Sequence, residues 1–283
     1  MSTLTPGSIL TAGLGGQPKL TLTAPDGASA EIYLHGAHVT SWKPAGAGEQ
    51  LFVSDKSEFG EGAAIRGGVP VIFPQFSLLG PLPRHGFVRN HAWEVVRQVQ
   101  DEVTLGFRDS PATLAIWPQA FQAELSVRVE ANRLEIELVI RNTGSSAFEF
   151  SSALHTYLRV EELARVTVEG LHGLTYRDAN TMVEHLEKPA RITFGEEVDR
   201  LYYDVLEQPL VLDEGSRRVW VTNQGFPDAV VWNPGQVKSD KLADMEAGGW
   251  QHFVCIEAAA AHVPVVLRAG EEWRGCQMLA LQR

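Results

Sequence analysis

Cysteine is nearly absent: Cys255 and Cys276 are the only two in 283 residues, and neither stands in a Cys-x-x-Cys pair or at metal-ligand spacing from a histidine. A disulfide framework is excluded, and a reducing, cytoplasmic location is the expectation. No window approaches the roughly 18 consecutive apolar residues of a membrane span, and MSTLTPGSILTAGLGG at the start lacks the basic opening and continuous apolar core of a leader. Basic side chains are outnumbered, 24 Lys+Arg against 35 Asp+Glu, which leaves no concentrated basic face for a phosphate backbone and argues against a nucleic-acid partner. No internal repeat, low-complexity run or long linker divides the chain, so residues 1–283 read as a single domain. Helical periodicity is scarce too, confined to Glu197–Leu206. Without alternating strands and long helices a doubly wound nucleotide-binding fold is disfavoured, and Gly13-Leu14-Gly15-Gly16 reads as a loop.

One local absence runs against the acidic trend. From Gly62 to Trp93 there is no Asp or Glu, yet Arg66, Arg84, Arg89, His85 and His91 fall inside it, in a chain of net charge -11. Guanidinium groups grip phosphate oxygens with paired hydrogen bonds. The stretch therefore reads as an anion-recognition segment for a small ligand.

What is present in quantity is alternation. Leu20–Thr23 and Glu31–Leu34 alternate apolar and polar residues around Pro25-Asp26-Gly27, the pattern of a hairpin. The strand reading continues over His35–Trp42, breaks at Lys43–Gly48 and resumes at Gln50–Ser54. Val103–Phe107, Ala123–Glu130 and Arg133–Ile140 follow, the last two joined over Ala131-Asn132. Further strands are expected at Phe148–Val160, Arg165–Glu169, Leu210–Leu212, Val219–Thr222, Ala229–Trp232, His252–Ala258, Val265–Leu267 and Gln277–Leu281. Such alternation implies one face on a core and one against water or polar neighbours, so the fold class is all-β, a large antiparallel sandwich. His35 and His38 have no third ligand nearby and lie on opposite strand faces, which favours a structural role over a metal site.

Two strands carry titratable groups in apolar company. Glu257 interrupts Phe253-Val254-Cys255-Ile256-Glu257-Ala258, on the face of Phe253 and Cys255. Buried, it suits a general acid or base; paired with an Arg or a backbone amide, it is structural. His155 shares a face with Ser151, Ala153, Tyr157 and Arg159. It either borders a polar pocket and exchanges protons or is a satisfied core histidine. The residues alone leave both choices open. None of the seven tryptophans is nominated for sugar stacking.

Taken together, Arg66–Phe76, Pro83–Asn90, Leu154–Val160, Glu197–Arg200, Val231–Pro234 and Val254–Glu257 resemble, in order, the motifs of the aldose 1-epimerase superfamily, nearest its hexose-6-phosphate (glucose-6-phosphate) 1-epimerase branch. The resemblance spans about Ile32 to Gln277. It implies a supersandwich of the galactose mutarotase-like kind that interconverts the α and β anomers of a pyranose without cofactor or metal. It implies Glu257 as the base at the C1 hydroxyl, His155 as the acid at the ring oxygen, Asp199 on sugar hydroxyls, His85 near the ring, and Arg66 and Arg89 on the phosphate. Arg84 and Asn233-Pro234-Gly235-Gln236 depart from the pattern: related chains carry an uncharged polar residue at the former and an aromatic after the proline. The alternatives are a mutarotase of unphosphorylated aldoses, a non-catalytic carbohydrate-binding sandwich, and a glycoside hydrolase built on Asp199 and Glu257. A monomer acting on a small phosphosugar, with neither membrane nor nucleic acid as partner, is the expectation.

Overall fold

The computed structural model of the protein describes residues 8–205 and 208–282; residues 1–7, which open the stretch MSTLTPGSILTAGLGG, and Leu206 of the expected helix lie outside them. Among the described residues the strands form three antiparallel sheets of four, eight and nine strands. The first, Ser8–Ala12, Pro18–Thr23, Ser29–Tyr33 and His38–Lys43, contains the expected hairpin, with Thr23 opposite Ser29. The nine-stranded sheet centres on Phe121–Glu130, Arg133–Asn142 and Glu272–Gln282. Its long hairpin closes over Ala131-Asn132 with Glu130 opposite Arg133.

The eight-stranded sheet runs in the order Glu184–Leu186, Thr175–Asp178, Val198–Tyr202, Asp228–Asn233, Phe253–Leu267, Phe148–Leu154 and Val71–Ile72, with Tyr157–Arg159 also against Phe253–Leu267. Period-2 alternation sorts its side chains onto two faces. Val231, Val254, Ile256 and Ala258 join one continuous core with Leu125, Ile136, Leu138, Val221 and Leu279 of the nine-stranded sheet. The opposite face carries Tyr157, Trp232, Phe253, Cys255 and Ala259 as a second cluster. Polar contacts stitch the two sheets: Thr156 Oγ1 donates to Gln277 Oε1, and Gln277 Nε2 donates to the Ile256 carbonyl at 3.2 Å.

The helix expected over Glu197–Leu206 is instead the strand Val198–Tyr202, paired on both sides. Val198, Leu201 and Tyr202 are its buried positions, at the i, i+3, i+4 spacing of an amphipathic helix. The pattern misleads because Asp199 and Arg200 are polar for other reasons: Asp199 faces the second cluster, and Arg200 pairs with buried Glu187 at 2.7 Å. Gln50–Ser54 forms only isolated bridges, Leu51 with Leu158 and Val53 with Gly67. The expected strand Phe148–Val160 is broken after Leu154. Two short helices, Pro111–Ile116 and Gly235–Ser239, were not expected; Ser110 caps the first by accepting from Thr113 N at 3.3 Å.

Candidate active site

The break after Leu154 makes the site. Leu154 lies opposite Ala258 and Tyr157 opposite Cys255, one unbroken register that sets His155 across from Glu257. His155 N donates to the Pro70 carbonyl at 3.0 Å and Tyr157 N to the Gly68 carbonyl at 2.9 Å, which carries the register of Leu154 opposite Val71 on past the break. The Arg66-Gly67-Gly68 segment thus docks beside His155, on the strands that bear it and Glu257. Gly68 has φ +59°, and a Cβ there would lie 2.2 Å from the Val39 carbonyl oxygen, so only glycine fits.

Two rows of side chains emerge on the second-cluster face. One holds Asp199, Trp232, Cys255 and Tyr157; the next holds Leu201, Val230, Glu257 and His155. His155 Nε2 is 3.3 Å from Glu257 Oε1, with relative exposures of 8% and 1%, so both groups are nearly dry. Tyr157 stacks on the His155 ring, centroids 4.9 Å apart and planes 12° off parallel, and Trp232 meets it edge-on at 5.7 Å. His85 approaches from the acid-free segment, 5.7 Å from His155 between ring centres. His85 itself holds φ +65°, next to Gly86, where a Cβ would fall 2.0 Å from the Phe73 carbonyl oxygen.

The electrostatics separate the roles. Burial, then the nearby Asp199 carboxylate, pushes Glu257 well above the usual carboxylate range. Burial, then His85, Arg66 and Arg89, pushes His155 well below the usual imidazole value. The contact is therefore a neutral carboxyl beside a neutral imidazole, which together hold one mobile proton. Burial and the three arginines drive His85 down to about 2. Its Nδ1 accepts from Ser77 N at 3.3 Å, so the proton of this neutral ring sits on Nε2 and can be donated.

The arginines are not equivalent. Arg66 donates through Nε to Asp244 at 3.1 Å and through Nη1 to the Tyr157 hydroxyl at 3.1 Å; the Tyr157 phenol and then Asp244 hold it firmly charged. Arg84 and Arg89 have no carboxylate partner among the described residues. Arg89 donates to the Arg84 carbonyl at 3.1 Å, while its Nε is buried without a partner. Burial lowers Arg89 to about 10, which leaves it cationic at neutral pH. His155 Nδ1 and Glu257 Oε2 are likewise buried without partners. Unsatisfied polar atoms this close together are unusual in a folded interior and mark where a polar ligand fits.

All seven residues nominated from sequence thus fall in or beside one site. Sequence reasoning put Tyr157 on the face of His155 without giving it a role, and missed Trp232, Asp244 and Lys238, whose contacts depend on register and loop docking rather than on local pattern. His35 and His38 serve structurally, donating through Nε2 to the Ala63 and Gly67 carbonyl oxygens at 2.6 and 2.7 Å. Among the described residues no group of three or more His, Cys, Asp or Glu is arranged to hold a metal ion.

A buried imidazole–carboxyl contact beside a cationic rim on a large antiparallel sandwich is an arrangement suited to proton transfer on a small polar ligand. The family model described as aldose 1-epimerase matches residues 18–279, and the chain belongs to that family. A protein of Cenchrus ciliaris carrying the provisional name glucose-6-phosphate 1-epimerase is 36% identical over 274 residues, covering 92% of this chain and 83% of that one. One from Escherichia coli K12 under the same provisional name is 37% identical over 242 residues, covering 82% and 80%. A crystal structure from Salmonella typhimurium, described provisionally as a mutarotase, superposes with a TM-score of 0.89 at 31% identity and covers 100% of this chain and 96% of its own. A galactose mutarotase related enzyme from Lactobacillus acidophilus, at 15% identity and a TM-score of 0.76 over 94% and 97% of the two chains, shares the fold.

Proposed function

We propose that the protein interconverts the α and β anomers of a hexose 6-phosphate, with glucose 6-phosphate as the substrate, and that the whole chain acts as one domain. The observation that carries the reaction is the 3.3 Å contact between His155 and Glu257 in a dry site. The proton held by the pair passes from Glu257 to His155; the carboxylate so formed removes the proton from the C1 hydroxyl while His155 delivers its own to the ring oxygen, which restores the pair to its starting state. The C1–O5 bond breaks with its electron pair going to O5, and C1 becomes the aldehyde. Rotation about C1–C2 and the reverse transfers close the ring on the other face. Acid and base each contribute roughly 10²–10⁴-fold in such a step. His85 donates through Nε2 to a ring substituent, and Asp199 accepts from sugar hydroxyls.

Arg84 and Arg89, which form no ion pair with a carboxylate among the described residues, support a phosphorylated substrate over a free aldose. Arg66, already shared between Asp244 and Tyr157, adds a contact while keeping the Tyr157–His155 stack in place. The provisional names of the relatives point the same way. The test follows freshly dissolved α-glucose 6-phosphate with a β-specific dehydrogenase as reporter. Acceleration over buffer is expected, with free glucose much slower. No acceleration with any hexose phosphate refutes the reading, and equal rates on glucose refute its phosphate part.

A further inference from the structure

The short helix Gly235–Ser239 follows Asn233-Pro234, where the sequence departs from its family's expected aromatic. Asn233 anchors the turn: its Oδ1 accepts from Gly235 N at 2.9 Å, and its Nδ2 donates to the Trp250 and Phe253 carbonyls at 2.8 and 2.9 Å, the latter at the start of the catalytic strand. Gly235 has φ +59°, and a Cβ there would lie 2.8 Å from Glu197 N. The helix is therefore drawn onto the segment that bears Asp199, and its Lys238 ammonium donates to Glu197 and reaches Asp199 Oδ2 at 3.4 Å.

We propose that Lys238 is a positioning residue of the sugar site: gripped by Glu197, it holds the Asp199 carboxylate ionised and aimed at the substrate hydroxyls beside Glu257. This rests on the anomerase reading above. Lys238, Glu197, Arg84, the Cys255 thiol and Glu257 are the titratable groups that Asp199 feels or acts on electrostatically. Burial raises its pKa and Lys238 opposes the rise. Two neighbouring carboxyls, Glu257 buried and Asp199 half-buried, each raise the other's resistance to ionisation, so a cation on one of them favours that one as the anion. Lys238 favours the ionised form of Asp199, a pure acceptor for hydroxyl donors, and so leaves the mobile proton to the His155–Glu257 pair. Removing the ammonium raises Asp199 further. It then protonates as pH falls, loses acceptor capacity, and binds sugar more weakly at the acid end of the range.

The experiment measures kcat and KM for glucose 6-phosphate in wild type, Lys238→Met, Lys238→Gln and Lys238→Arg from about pH 6 to pH 8.5, with thermal melting to check folding. In Met and Gln, KM is expected to rise roughly tenfold at the acid end, the loss of about one charge-assisted hydrogen bond, and to converge on wild type as pH rises, with kcat within about threefold. Arg is expected to restore the wild-type profile. A pH-independent change, a fall in kcat with KM unchanged, or no rescue by Arg overturns the assignment. Should Met fail to fold, the Gln and Arg pair carries the same comparison. An inactive wild type refutes the anomerase reading and this proposal with it, whereas an active wild type with unaffected variants refutes this proposal alone.

Discussion

Replacing Arg89 with alanine separates recognition of phosphate from chemistry. The guanidinium is cationic at neutral pH although burial lowers it to about 10; among the described residues its Nε has no partner and its one hydrogen bond is to the Arg84 carbonyl. A charge-assisted bond to a phosphoryl oxygen is worth about 1.5–3 kcal/mol, or roughly 10–150-fold in kcat/KM. Free glucose makes no such bond, so its rate is expected to stay within about threefold. One shared effect must be subtracted. Arg89 also helps hold His155 low, so its loss moves the imidazole up for both substrates alike, and the ratio of the two kcat/KM values removes it. Initial anomerisation rates of α-glucose 6-phosphate and α-glucose, for wild type and Arg89→Ala, give that ratio. Equal losses on the two sugars would remove Arg89 from the phosphate site.

Glu257→Gln and His155→Ala are each expected to lower kcat by roughly 10²–10⁴-fold while KM moves little. Glu257→Gln should also melt at a higher temperature than wild type, by a margin that widens with pH. The folded carboxyl titrates above its unfolded value, so the stability held by its proton is full below the unfolded pKa and lost as pH rises through the folded one; a lower or pH-independent melting point contradicts the burial argument. The kcat/KM profile of wild type is expected to be flat through neutrality. The pair keeps one proton between the lowered imidazole on the acid side and the raised carboxyl on the alkaline side. A limb centred near pH 6.5 would mean an ordinary exposed histidine instead.

Much of this was legible in the chain because it is local. Alternation placed Glu257 with Phe253 and Cys255, and these residues share a face in the sheet. It likewise grouped Ala153 with Tyr157 around His155, correct even though the strand is interrupted there. The acid-free stretch marked the cationic rim. What failed depended on partners distant in sequence. Val198, Leu201 and Tyr202 mimicked a helix because the polarity of Asp199 and Arg200 is set by Lys238 and Glu187 rather than by solvent. Arg66 looked like a free anion ligand, and only the fold reveals Asp244, 178 positions along the chain, already on its guanidinium. Lys238 gave no signal at all, since its meaning comes from a glycine turn that brings it over Glu197.

The most direct test observes both anomers at once. At equilibrium, magnetisation transfer between the C1 resonances of α- and β-glucose 6-phosphate reports interconversion without any coupling enzyme. Exchange that grows in proportion to wild-type protein and returns to the buffer rate with Glu257→Gln is the predicted result. Exchange unchanged by the wild-type chain, or equally fast with Glu257→Gln, would contradict the account.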